Sequence, residues 1–190
     1  MKKIIMYHYV RNKIKEYPYS NHLSKKKFLA QLNFFLKNGG IVDKKDNFLD
    51  NNNKYLLTFD DGFKDHLYVA EKLKKIGAIG IFFIPMLPYV DKKILDVHKS
   101  HLILSKIKPR KALNYLEYYL NKYNSKNILN YLEKEKFKDV YKLQNDDIQA
   151  KKFKKIINYY SDLKIKSKIL DEILKKENIK LKAKNFYLNK

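Results

Sequence analysis

The chain has 190 residues and a formal net charge of +22 from 42 basic and 20 acidic side chains, enough for one ordinary domain or a domain with an appendage. It contains no cysteine, which excludes disulfides, thiolate-held zinc, iron–sulfur clusters and a thiol nucleophile. The apolar run in residues 1–8 is too short for a secretory signal, and no stretch approaches the ~20 apolar residues that span a bilayer; a cytoplasmic protein without a membrane span is expected.

So large a positive charge points first to nucleic acid or an anionic surface. Two features of the sequence weigh against that. Only Arg11 and Arg110 are arginine, whereas phosphate and base recognition leans on the guanidinium fork. The charge is also spread evenly: residues 1–109 hold 21 basic and 10 acidic groups, and residues 110–190 hold the same numbers. A dedicated surface concentrates its charge, so no nucleic-acid partner is expected.

The first ~90 residues alternate strand and helix by periodicity. Ile4 to His8 is a short apolar strand. Ser24 caps a helix whose inner positions are Phe28, Leu29, Leu32, Phe35 and Leu36, with Gly39-Gly40 as its stop. A polar, Asn-rich loop follows from Asp46 to Lys54. Tyr55 to Phe59 reads as a buried strand running into Asp60-Asp61-Gly62. The next helix faces inward with Leu67, Ala70, Leu73 and Ile76 and stops at Gly77. Ile79 to Ile84 is a third strand, closed by Pro85. Near-continuous apolar strands separated by helices predict parallel pairing with the helices outside.

The second half is different. No glycine follows Gly80 and no proline follows Pro109, and apolar residues recur at helical spacing. Leu113, Leu116, Tyr119, Leu120 and Tyr123 form one stripe. Ile128, Leu129 and Leu132 form another; Phe153, Ile156, Ile157 and Tyr160 a third; Ile169, Ile173 and Leu174 a fourth. Three to five amphipathic helices are expected over 110–185, with no central strand, and their stripes read as packing faces.

Three groups of residues have chemistry open to them. Asp60 and Asp61 directly follow an apolar strand, the end at which parallel α/β folds place catalytic groups. Gly62 lets the chain turn sharply after them. Two close carboxylates allow one to act as a base while the other holds a cation; a solvated loop that caps the next helix uses the same residues. His8 ends the first strand, where it either converges on the same mouth or serves as a rim histidine. His66 reads as a surface or helix-start residue. His98 and His101 stand at i and i+3 on a helix for which Asp96 is the expected cap. That spacing lets two imidazoles chelate a divalent ion, or contact substrate or backbone instead.

Taken in order, Met6-Tyr7-His8-Tyr9-Val10, Phe28-x-x-Gln31-Leu32 with its Gly-Gly stop, Leu57-Thr58-Phe59-Asp60-Asp61-Gly62 and Gly77 to Pro85 resemble the polysaccharide deacetylase family. The resemblance covers about residues 1–105. It implies an irregular α/β barrel and metal-dependent hydrolysis of acetyl groups from N- or O-acetylated carbohydrate. It makes Asp60 the general base, beside His8 as a second catalytic candidate, and Asp61 a ligand of a zinc-type divalent ion. The family's pair of histidines four residues apart is absent, leaving His98 and His101 as the candidate further ligands. The family's later motifs are missing too, and three strands do not close a barrel. The expected architecture is therefore a partial deacetylase-type α/β barrel over 1–105 and a helical insertion or extension over 106–190. A chain that ends early relative to the family is the simplest account. Poor activity is the expectation, with a non-catalytic carbohydrate- or partner-binding remnant as the alternative.

Overall fold

The structure is a computed structural model that describes residues 3–46, 53–124, 140–160, 162–180 and 182–188. By packing, the chain forms two units. One comprises residues 1–13, 21–93 and 181–190, and the other residues 14–20 and 94–180. The helical unit thus begins upstream of residue 106, the start expected from sequence.

The first unit is mixed α/β. Strands β1 (Lys3–Tyr7), β2 (Tyr55–Asp60) and β3 (Gly80–Phe83) form an open three-stranded sheet in the order β1-β2-β3. Both pairings are parallel, with Tyr7 opposite Phe59 and Phe59 opposite Phe82. Helices α1 (Lys25–Lys37) and α2 (Asp65–Lys75) make the two crossovers. A right-handed crossover repeated in one direction along a sheet leaves both helices on the same face. The core lies on that face, where Phe28, Leu32 and Phe35 of α1 and Val69 and Leu73 of α2 meet Tyr7, Leu57 and Phe59. Phe59 is its centre: the ring stacks on Tyr7 at 5.3 Å and on Phe82 at 4.9 Å between centroids, and takes Phe28 edge-on at 6.2 Å. On the opposite face, Ile4, Met6 and Phe83 are exposed.

The helix boundaries follow the capping residues. Ser24 is extended (φ −68°, ψ 149°) and its Oγ accepts the Lys27 amide, and α1 stops just before Gly39 and Gly40. Two of the expected inner faces are corrected. Leu29 and Leu36 of α1 are exposed, as are Leu67, Ala70 and Ile76 of the second helix, whose buried residues are His66, Val69 and Leu73. At ~100° per residue Leu67 lies ~160° round the helix from buried Val69, and Ile76 is the C-cap just past the end of α2.

The regular structure of the second unit is all helical among its described residues. It contains α4 (Asp96–Lys106), α5 (Pro109–Lys122), α6 (Ile148–Lys155) and α7 (Leu163–Lys176). A short helix α3 (Leu87–Val90) precedes these in the first unit, and another, α8 (Ala183–Phe186), follows them there. Pro109 occupies the first turn of α5, where its missing N–H has no partner to lose. Asp147 and Asp162 cap α6 and α7, each accepting two backbone amides. The chain continues α6 as a π-helical turn over 156–160. Leu113, Leu116, Leu120, Phe153, Ile156, Ile157, Ile169 and Ile173 are all buried, as their spacing predicts. The stripe Ile128, Leu129 and Leu132 lies outside the described residues. Asp96 is the first residue of α4 rather than its cap, which is Leu95.

Candidate functional site

The register of β1 against β2 decides where His8 and the acids stand. Tyr7 lies opposite Phe59, so the residues that follow both strands emerge side by side at the C-terminal edge of a parallel pair. His8 Nε2 comes to 3.9 Å from Asp61 Oδ2, with the two side chains 40 % and 24 % exposed. Protonated, the imidazole is within ion-pairing reach of the carboxylate; neutral, it offers a ring nitrogen to the same space. Asp60 is the last residue of β2 and pairs in register with Phe83. Side chains alternate along a strand, so Asp60 leaves the sheet on the face opposite Phe59.

Asp61 and Gly62 turn the chain from β2 into α2, and both adopt left-handed backbone, φ 79° and 60°. Aspartate tolerates this region better than most residues, and glycine enters it without cost. At Gly62 the space is closed as well, since a Cβ would stand 3.1 Å from Ile84 Cγ2.

Groups that the sequence did not single out hold this edge in place. His66, read as a surface or helix-start residue, does begin α2 but is only 1 % exposed. It is ringed by Phe59, Phe63 and Phe82 at 5.7–5.9 Å between centroids. Its Nε2 lies 2.8 Å from the His8 carbonyl oxygen. A carbonyl only accepts, so Nε2 carries the hydrogen and donates it, which makes Nδ1 the bare nitrogen. Nδ1 is buried without a hydrogen-bond partner among the described residues. Burial holds the His66 pKa below the usual histidine range, although the His8 carbonyl and the Asp65 and Asp61 carboxylates oppose that shift. A neutral, single-tautomer imidazole thus supports the backbone of His8 from below.

Arg11 is the second support. Its Nε donates to Asp65 Oδ2 at 2.5 Å, and its guanidinium carbon lies 4.5 Å from the centre of the Tyr9 ring. The bond ties the segment after β1 to the first turn of α2, where a carboxylate also complements the helix dipole. The Tyr9 phenol is pushed well above its usual pKa by burial, with Asp61, Tyr187 and Asp65 adding to the rise and Arg11 lowering it. It stays a neutral donor beside the acids. Tyr9 stacks on Phe63 at 4.3 Å. Apart from Tyr9, which falls inside the Met6 to Val10 segment, no sequence motif marks these residues, because each acts through a contact more than 50 residues away.

The donors at this edge do not by themselves fit a zinc-type ion. A catalytic zinc keeps three protein ligands and one open position, and among the described residues no three histidine or carboxylate side chains converge as an ion site. Asp61 and His8 provide two donors. His98 and His101 belong to the helical unit, where His98 is fully buried, His101 is half-buried and their ring centroids are 6.1 Å apart. No family model, curated protein or solved structure matches the chain.

Proposed function

We propose that the edge formed by Asp60, Asp61 and His8 binds N- or O-acetylated carbohydrate, in a protein of polysaccharide deacetylase type that turns such substrates over poorly or not at all. The observation that carries this reading is the convergence of His8 and Asp61, 3.9 Å apart, at the ends of adjacent parallel strands. Their spacing suits a ligand rich in hydroxyl and amide groups. For hydrolysis, water adds to the acetyl carbonyl carbon and gives its proton to Asp60. The carbon–nitrogen or carbon–oxygen bond to the sugar then breaks, and the leaving amine or alcohol takes up a proton. His8, at the same edge, is the group placed to supply that proton. The zinc-type ion that the resemblance assigns to Asp61, with His98 and His101 only as candidate further ligands, enters no step, because the donors at the edge do not complete its coordination.

The two-donor set favours the non-catalytic form of this reading, in which the acids and His8 hydrogen-bond sugar hydroxyls without cleaving the acetyl group. The test is an NMR titration with an acetylated amino-sugar oligomer, with and without zinc, cobalt or nickel and a chelator, alongside a turnover assay. The oligomer is expected to move the His8 ring resonances, to lose that effect in Asp61→Asn, and to be turned over slowly or not at all. An unmoved His8, or an equal shift in Asp61→Asn, overturns the proposal. Fast, chelator-sensitive turnover restores the catalytic form and calls for a third ligand.

A further inference from the structure

The turn that presents Asp61 carries backbone strain, because a non-glycine residue in the left-handed region persists only where its surroundings hold it. Those surroundings come from far along the chain. Leu188 N–H donates to the Gly62 carbonyl at 2.8 Å, and Lys64 N–H donates to the Phe186 carbonyl at 3.1 Å. Phe63 and Tyr187 form the antiparallel bridge between them. The side chains repeat the pairing: Phe63 is fully buried, and its ring meets Phe186 edge-on at 5.2 Å and stacks on Tyr187 at 6.2 Å. Tyr187 is itself 2 % exposed. Both flanks of the acid turn are therefore bonded to a three-residue segment more than 120 positions away, on the far side of the helical unit in sequence.

We infer that Phe186, Tyr187 and Leu188 are a positioning segment, a strap that holds the Asp61–Gly62 turn in its left-handed form and so sets the carboxylate of Asp61 opposite His8. Two backbone hydrogen bonds spaced two residues apart, across a bridge packed by aromatic rings, fix the position and the direction of the turn. A single contact would fix neither. The inference rests on the proposed function only in counting Asp61 as a site residue. It concerns how that carboxylate is placed, whatever ligand it meets.

The test compares Leu188→Pro, which deletes the amide donor, with Leu188→Ala, which keeps it. Amide hydrogen exchange and the His8 ring resonances of the full chain are the readouts. Neither depends on sugar, metal or turnover, so failure here is separate from failure of the proposed function. Leu188→Pro is expected to speed exchange at the Lys64 amide about tenfold, the effect of losing one hydrogen bond, and to shift the His8 ring signals. Leu188→Ala is expected to do neither. An unchanged Lys64 amide in Leu188→Pro, or equal shifts of His8 in both variants, overturns the inference. The wild-type protein gives a second check that needs no variant. The protection factors of the Lys64 and Leu188 amides, each rate divided by its own unprotected rate, should agree within about twofold, since one opening event frees both; clearly unequal protection overturns it too.

Discussion

Lowering the pH should weaken the α/β unit through His66, and replacing that residue by glutamine should remove the effect. His66 is 1 % exposed, its Nε2 is committed to the His8 carbonyl, and its pKa is held down chiefly by burial. The unfolded chain restores the ordinary value of 6.5. Below that value the unfolded state takes up a proton that the folded state refuses. The sign follows: the stabilisation is complete above pH 6.5 and is lost as pH falls from there towards the depressed folded value. While the folded ring stays neutral, the slope approaches about 1.4 kcal/mol per pH unit, the free energy of one proton. In His66→Gln the amide still donates to the His8 carbonyl but does not titrate. The variant carries a constant cost of roughly 1–2 kcal/mol for the lost ring packing and altered bond. That offset does not depend on pH, so it leaves the slope readable. Urea unfolding between pH 8 and 5 gives both curves, and their difference isolates His66 because every other histidine and carboxylate is common to the two proteins. Curves that remain parallel over this range refute a buried neutral His66.

Three further outcomes follow from the packing. Gly80→Ala should lower stability by about 1–3 kcal/mol, because the new Cβ would stand 2.8 Å from Leu73 Cδ1 and 3.0 Å from the edge of the Phe59 ring, which is clamped between Tyr7 and Phe82; denaturant unfolding measures it, and a neutral result contradicts the packing described. The Tyr7 phenol, pushed up to about 12 by burial, should ionise late, so the 295 nm absorbance difference between wild type and Tyr7→Phe should appear only near pH 12. Its neutral form favours the folded state, so this stabilisation is present below pH 10 and is lost as pH rises through 12. Asp162→Ala should cost about 1 kcal/mol by removing the acceptor for the Lys164 and Ile165 amides at the start of α7, with Asp162→Asn retaining most of it; thermal unfolding followed by circular dichroism distinguishes the two.

Most of the fold was legible because its signals are local. The run Tyr55 to Phe59 is apolar without alternation, and it is the central strand, buried from end to end. Ser24 and Gly77 stand at helix ends because capping is decided within three or four residues of the boundary. What was misread is the direction of faces. Leu67 carries the same hydrophobic signal as Val69 and only its angle round the helix separates them, while Ile76 is exposed as the C-cap beyond the last residue of α2. The inward position taken by His66 was missed for a related reason, since hydropathy marks histidine as a surface residue while the buried ring here is neutral and bonded at one nitrogen. The three-stranded sheet agrees with the strand count read from sequence. A closed barrel is absent among the described residues.

The site was legible only in part, and the division has a physical cause. Asp60, Asp61 and Gly62 follow a strand directly, so their place at the sheet edge is a consequence of three adjacent residues and the strand before them. His8 joins them because β1 and β2 are parallel and in register, which the crossover pattern also implies. The residues that restrain these groups obey no such local rule. Arg11 reaches Asp65 across 54 positions, and His66 reaches His8 across 58. Leu188, just past α8, reaches Gly62 of the same unit across 126 positions. Each is an ordinary residue type at an unremarkable spacing, and its role exists only once the chain has folded. Sequence order therefore names the groups that gather at the sheet edge, while their orientation is set by distant contacts. A variant such as Leu188→Pro, outside every motif, should accordingly disturb His8 more than substitutions of the exposed Leu29 or Leu36 on α1. Equal disturbance from those surface changes would mean that the edge responds to general stability and not to its supports.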